Sequence, residues 1–539
     1  MAVIERFGRV VLKSDREFWI AILACAGALV LAVTSVSLWI DEGFVVWVVS
    51  HPTLETAIRS ASSPYAPSPG DRQYPFYDLW LWAWSRLFGS SEYAMRAANM
   101  PFAVVYVLSL ASASRLAFGK RFTWIPFAFV PFVWFYMNEI RPYMMLTALS
   151  TAATACVLIA LFGTGRARRF ARRLAFPVLL CAWASHILAI LLVPGLGLLT
   201  FCTRRELDAG DRAAWRTAML IAILPALAIA TYYASTLSGG AASAEIANND
   251  RGASPIASVL EIAYEHFGFA GLGPDRNTLR EMSGLRAYIP FAATLLFGLV
   301  GITIAIVRGI ERPIGKVTAY LFAGWAISLG LAMLATEATH ARFLGRHLAG
   351  TLPLLTLAAI STIRSRVALW ALLIVFVSSD LRLTLDARYW KDDYRGAVES
   401  MIALDKAHPG YLNWAADDLT ANYYGLSFVH QRNAGDVRTP WRVRRVGVPV
   451  YNYRPQDAET LIQSQISSGR PAYLALGKPD LFDMAHGWRT TIASLHGRQV
   501  EHLRAFDIIM FPATDTQKRA HRSTHSSLQL GIKPTGRTR

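Results

Sequence analysis

The sequence predicts a mainly α, polytopic helical membrane protein with a small C-terminal extracytoplasmic α/β domain. Three observations carry that reading. Of 539 residues 53% are hydrophobic and only 17% charged, against about a quarter charged in soluble chains. Apolar runs near ~20 residues, the length of a membrane-crossing helix, recur through the first 380 positions. Beyond residue 381 charged and polar residues return, so the composition changes class within one chain.

The spans fall near 18–40, 96–117, 123–137, 142–162, 174–186, 187–201, 216–236, 288–307, 317–335, 345–361 and 367–381, about eleven in all. The net charge of +17 does not mark a nucleic-acid partner, because of where the cations lie. They gather between spans: Arg6, Arg9, Lys13 and Arg16, then Arg115, Lys120 and Arg121, then Arg166 to Arg173, Arg204 to Arg216, Arg308 to Lys316, and Arg364 with Arg366. That is the positive-inside pattern of cytoplasmic loops. The run 174–201 has arginines at both ends, so a hairpin turning at His186 keeps both basic ends on one side. An odd number of spans then places the N-terminus in the cytoplasm and the C-terminus outside. The four cysteines, Cys25, Cys156, Cys181 and Cys202, all sit in or beside apolar runs and read as buried small hydrophobes. Ile22-Leu23-Ala24-Cys25 has the look of a lipoprotein box, but the apolar run continues to Ile40, as in an uncleaved signal anchor.

Three outward segments follow, at 41–95, 237–287 and beyond 381. The first holds a breaker-rich loop from Ser60 to Gly70 and an aromatic stretch, Tyr74 to Phe88, that reads as a helix lying in the membrane interface. The domain layout is 1–381 for the membrane part, 382–515 for the α/β domain, and a basic tail at 516–539 with the composition of a disordered segment. Helices are expected at Tyr394–Ala407 and Pro455–Ser468, and strands at Ala472–Leu476 and Phe506–Phe511. No internal repeat, Walker-type loop or paired Cys/His spacing is present.

Chemistry is expected where charges break the orientation rule, outside at the membrane surface. Asp41 and Glu42 follow the first span. Asn138-Glu139-Ile140-Arg141-Pro142-Tyr143 forms an outer turn, and Thr336 to His347 another, carrying Arg342, Arg346 and His347. His186 stands at the hairpin turn. A carboxylate opposite several cations suits transfer of a group from a lipid phosphate: the carboxylate takes the proton of an attacking hydroxyl or amine, and the cations stabilise the departing phosphate. No nucleotide-binding loop is then required. An Asp-Glu pair leaves a divalent cation, Mg or Mn, open as a cofactor.

Taken in order, Asp41-Glu42, Tyr74-Pro75-Phe76-Tyr77, Leu87 to Arg96, Glu139-Ile140-Arg141-Pro142-Tyr143, Trp183 to His186 and Arg346-His347 to Pro353 resemble the membrane glycosyltransferases of the GT-C fold. The nearest likeness is to bacterial relatives of protein O-mannosyltransferases and to the lipid A aminoarabinose transferase, over roughly residues 18–395. The resemblance implies a polyprenyl-phosphate sugar donor, a hexosyl or pentosyl group transferred to a cell-envelope acceptor (lipid, glycan or protein), and an address in the bacterial inner membrane. By position it makes Asp41 the catalytic base. It sets the Arg141–Tyr143 turn and the Arg346 region, with Arg342 and His347, near the donor phosphate. Where relatives carry a His or Lys before a Pro-Pro pair, this chain has Arg72-Gln73-Tyr74-Pro75, so Arg72 would supply that cation. The rival from another class is a transporter or flippase of a lipid-linked sugar. Against it, charges avoid the middles of the spans. A membrane-anchored scaffold is a third reading, and it leaves the outer charged turns unexplained.

Overall fold

The structure is a computed structural model describing residues 16–514, apart from 63–74, 205–206, 208, 238–254, 268–270, 273–312, 340–342, 429–443, 451–454 and 478–486. The expected span 288–307, most of the Ser60–Gly70 loop, Arg72, Arg342 and the basic tail lie outside the described residues. The chain divides into two compact units. One comprises the chain up to Ser35 with Val48–Trp390; the other comprises Val36–Trp47 with the chain from Lys391 onward.

The first unit is helical. Among the described residues five helices are long and apolar enough to cross a membrane: Glu92–Leu116, Tyr143–Phe162, Arg212–Ser235, Gly315–Ala338 and Arg366–Leu385. Their partners in the fold show which faces need lipid. Tyr143–Phe162 is 72% buried among its neighbours, whereas Arg212–Ser235 is only 6% buried over its apolar window. Water would not tolerate so large a continuous apolar face, and lipid would cover it.

Several expected spans are built differently. The stretch 18–40 is not one helix. Arg16–Leu31 ends, the chain runs extended, and a second helix starts at Ile40. The break falls on Val33-Thr34-Ser35-Val36-Ser37, where β-branched and hydroxyl side chains weaken a helix and Thr34 donates twice to Asn138 Oδ1, at 2.8 and 3.0 Å. The stretch 123–137 divides into Ile125–Ala128 and Pro131–Met137. Pro131 disfavours helix at the residue before it and is accepted at the first turn of the next helix. The stretch 345–361 opens as a tight 3-10 segment, Gly345–Thr351, before the helix Leu352–Thr362. The basic run at 166–173 is itself helical, inside Gly165–Ser185, and that helix ends at His186, which stands between it and the 3-10 segment Ile187–Leu191. Pro75–Phe88 forms the expected aromatic helix, and Ser60–Ser62, expected in the loop, end the helix Leu54–Ser62.

Small residues set the closest helix crossing. A side chain added at Gly324 would lie 2.6 Å from Gly195 Cα, so Leu192–Thr203 and Pro313–Thr339 meet backbone to backbone. Ser328 Oγ then reaches Leu191 O at 2.7 Å. At a basic turn, Lys120 Nζ donates to the carbonyls of Ile360, Ser361 and Ile363 at 2.9, 2.7 and 2.8 Å, capping the helix Leu352–Thr362 where its carbonyls lack intrahelical partners.

The second unit is a layered α/β fold. Its strands are β1 (Tyr411–Ala415), β2 (Leu426–Phe428), β3 (Arg445–Pro449), β4 (Ala472–Gly477), β5 (Arg498–Leu503) and β6 (Phe506–Phe511). They form one sheet in the order β2-β3-β1-β4-β6-β5. The first four strands run parallel, and β6 pairs antiparallel with both β4 and β5. Period-2 alternation divides the core between two faces. Leu412, Trp414, Tyr473 and Ala475 pack with Tyr394, Val398 and Met401 of the helix Tyr394–Ala407. Ala415, Ala472 and Leu474 pack with Ile462 and Ile466 of Pro455–Ser467 and with Trp488 of Gly487–Ser494. Ile40 joins the first of these clusters, which is why Val36–Trp47 folds with this unit.

Two stability predictions follow from these contacts. Lys120→Met should lower the thermal midpoint in detergent, with a loss on the order of 2 kcal/mol from three carbonyls deprived of a charged donor, while Lys120→Arg should retain part of it. Asp380, in the helix Arg366–Leu385, is 2% exposed, and among the described residues neither carboxylate oxygen is hydrogen-bonded. Asp380→Leu removes a polar group whose unbonded burial costs about 1–3 kcal/mol and should raise that midpoint in differential scanning fluorimetry.

Candidate functional site

In the helical unit the site begins at the turn Asn138–Pro142, which joins Pro131–Met137 to Tyr143–Phe162. A turn leaves backbone groups unpaired, and here buried side chains supply the bonds. Asn99 Nδ2 donates to Glu139 O at 2.7 Å and to Met137 O at 3.2 Å. Arg96, fully buried, donates from Nε to Asn138 O at 2.9 Å. Asn138 Nδ2 donates to Ala32 O at 3.0 Å, the counterpart of the bonds from Thr34.

The turn delivers Arg141 and Tyr143. Tyr143 is 2% exposed, and the guanidinium carbons of Arg141 and Arg346 lie 5.9 and 6.0 Å from the centre of its ring. Both contacts are within cation–π range. The His186 ring lies 5.8 Å from the same ring. His186 Nδ1 accepts from Leu188 N at 3.1 Å, capping the 3-10 turn Ile187–Leu191, and the charges of both arginines act on it. Arg141, Tyr143, His186 and Arg346, each proposed from sequence, are therefore brought together from three separate turns. Glu139 is buried at 1% in the same turn. His347 acts locally, its Nδ1 accepting from Leu344 N at 3.1 Å and so holding the turn that carries Arg346.

Asp41 and Glu42 belong to the other unit, in the first turn of Ile40–Ser50. Glu42 is fully buried and ion-paired with Lys391 at 2.9 Å, and its second oxygen accepts from Trp39 N at 3.3 Å. Gly43 presses on Thr420, where an added Cβ would have no room. Tyr424 OH accepts from Leu38 N at 2.7 Å and Ser37 Oγ accepts from Arg395 N at 3.0 Å, so the segment before Asp41 is stitched to this unit. The charge of Asp41 reaches Tyr394 and Asp417. Asp417 caps the helix Asp418–Tyr423, its Oδ2 accepting from Thr420 N at 2.8 Å and Thr420 Oγ1 at 2.6 Å. Burial, then the charges of Asp418 and Asp41, push its pKa up to about 7. Among the described residues no group of three His, Cys, Asp or Glu side chains is arranged to hold a metal ion.

No family model matches the chain, and no curated protein matches it. Among solved structures it is similar to ArnT from Cupriavidus metallidurans. The apo structure of that protein aligns at 17% identity with a TM-score of 0.42, covering 95% of this chain and 99% of that one. The structure bound to undecaprenyl phosphate aligns at 14% identity with a TM-score of 0.43, covering 93% and 99%.

Sequence reasoning named the cations and missed what holds them. Arg96 was legible as part of a motif and Asn99 not at all, since a polar residue within an apolar run announces burial but not its partner. The position of Asp417 generates a pH prediction. Its folded-state pKa lies above the ordinary carboxylate range near ~3.9, so its contribution to stability is fully present below about pH 4 and is lost as pH rises through about 7. Unfolding of the full chain followed by circular dichroism should show the β-containing unit weakening between about pH 4 and 7, and Asp417→Asn should flatten that slope.

Proposed function

We propose that the chain is an integral-membrane glycosyltransferase of the GT-C type that moves a sugar from a polyprenyl-phosphate donor to an extracytoplasmic acceptor. The convergence of Arg141 and Arg346 on Tyr143 beside His186 carries the reading. Two guanidinium groups held by buried aromatic rings and a tied turn offer planar forks of donors for a phosphate, pre-ordered before it arrives. The spans provide what a lipid donor needs, apolar helix faces open to the bilayer.

In the reaction Asp41 is the base. The acceptor hydroxyl or amine attacks the anomeric carbon, and its proton passes to the Asp41 carboxylate. The bond from that carbon to the phosphate oxygen breaks, and its electron pair leaves on the lipid phosphate, where Arg141 and Arg346 hold the charge. Attack opposite the leaving group inverts the anomeric centre. Arg342 and Arg72 are further cations proposed for the donor side, Glu139 is proposed for donor or acceptor binding, and Glu42, proposed for the same role, is ion-paired with Lys391. The α/β unit takes the acceptor-facing role, with the N-terminus in the cytoplasm of a bacterial cell and that unit outside the inner membrane. Metal use, Mg or Mn, belongs to the same proposal, as does the choice between hexosyl and pentosyl transfer.

Purified protein incubated with polyprenyl-phosphate sugars and envelope acceptors tests it. Asp41→Asn keeps size and removes the charge, so kcat should fall by about 10²- to 10⁴-fold with donor affinity little changed. Arg346→Ala should weaken donor binding by roughly ten- to a hundredfold, the loss of one charge-assisted contact. Full activity in Asp41→Asn would remove Asp41 from the mechanism. Sugar flux into proteoliposomes without product would replace the enzyme by a transporter.

A further inference from the structure

The helix Pro255–His266 was not expected from sequence, and its last residue touches the turn that carries Arg346. His266 is 3% exposed. Its Nε2 lies 3.1 Å from Gly345 O, and its Nδ1 lies 3.1 Å from Trp325 Nε1. The indole can only donate and the carbonyl can only accept, so both partners demand the same neutral tautomer, with the proton on Nε2. Burial pushes the pKa of this imidazole down to about 4, against the opposing effect of the Gly345 bond, which leaves that tautomer in place across physiological pH.

Packing removes the remaining freedom. A side chain at Gly345 would lie 2.2 Å from Glu265 Oε2 and 2.7 Å from Glu265 Cβ, so the end of the helix rests directly on the Gly345 backbone. The other face of His266 meets Phe132 edge-on, 5.4 Å between ring centres at 84°. Phe132 packs at a tilt against Tyr136, ring centres 4.5 Å apart, and Tyr136 meets Tyr143 edge-on at 5.0 Å. One imidazole thus touches both walls of the cation cluster: the backbone one residue before Arg346, and the aromatic row ending at Tyr143.

We propose that His266 is a positioning residue for Arg346, fixing the Gly345 carbonyl through Nε2–H while Trp325 fixes the imidazole. It touches no substrate and acts only by where it holds the guanidinium. Misplacement of a binding group by about 1 Å is enough for a large loss of productive binding. The inference rests on reading Arg346 as a phosphate ligand, so the test separates the two.

Binding of undecaprenyl phosphate to full-length protein in detergent is measured for wild type, Arg346→Ala, His266→Leu, His266→Gln, Trp325→Phe and the double variant His266→Leu with Arg346→Ala. His266→Leu should weaken binding about tenfold. His266→Gln, whose amide nitrogen sits near the former Nε2, should recover most of it, and Trp325→Phe should fall between. The double variant should bind no worse than Arg346→Ala alone, because one residue works through the other. Wild-type affinity in folded His266→Leu, or fully additive losses in the double variant, overturns the inference while leaving the reading of Arg346 standing. Unchanged binding in Arg346→Ala overturns that reading and the inference with it. If His266→Leu fails to fold, Trp325→Phe and ¹⁵N-histidine NMR decide: an Nδ1–H or doubly protonated ring at pH 7 overturns the geometry with no ligand present.

Discussion

Everything that makes the helical unit a candidate binding site depends on a short turn being tied where lipid-facing helices end. Asn138 to Pro142 reverses the chain between two apolar helices, and its backbone would carry unsatisfied groups at membrane depth. Arg96 and Asn99 reach its carbonyls from the helical stretch Glu92–Leu116, and Ala32 and Thr34, just past the end of Arg16–Leu31, bond to the Asn138 side-chain amide. Two of those donors are buried charged or amide groups, costly to desolvate unless every bond is made. Once made, the bonds leave Arg141 and Tyr143 little room to wander. The site is rigid because the turn is expensive to leave loose.

Much of the helical architecture could be read from hydropathy because lipid imposes a simple requirement: enough apolar residues to cross, with charges collected at the ends. Glu92–Leu116, Tyr143–Phe162 and Arg366–Leu385 satisfy it without competition. The stretches that departed from expectation are those where apolar composition hides a local conflict. Pro131 interrupts one, hydroxyl and β-branched residues interrupt 33–37, and a 3-10 segment replaces the first turns of another. A hydropathy window averages over such conflicts. In the α/β unit, β4 and β6 were legible from their apolar runs, while β1 was concealed by Asn413 at its centre. That amide is satisfied by a reciprocal pair of bonds with Gln465, at 2.8 and 3.0 Å, a partner 52 residues away.

The site was legible to the extent that charge in the wrong place is conspicuous. Arg141, His186 and Arg346 were visible because the charge pattern of the loops reads their turns as outward, where cations break the expected bias, and the fold gathers them around Tyr143. The neighbours that orient them were not visible, since His266 and Trp325 lie in segments whose sequences look like any amphipathic or apolar helix. Long-range hydrogen bonds leave no periodicity behind. Asp41 was conspicuous for the same reason as the arginines, but its membership in the C-terminal unit depends on Ile40, Gly43 and Glu42 finding partners far along the chain.

That last separation bears on how the molecule is made. Glu42 and Lys391 are 349 residues apart, and Glu42 is fully buried. The ion pair of this carboxylate with Lys391 forms only after the five described membrane-crossing helices have been synthesised. Closing so long a loop is slow by its topology. The turn carrying Asp41 and Glu42 is thus synthesised long before the partner that completes it, so a chain cut before residue 391 leaves that turn without its Lys391 ion pair.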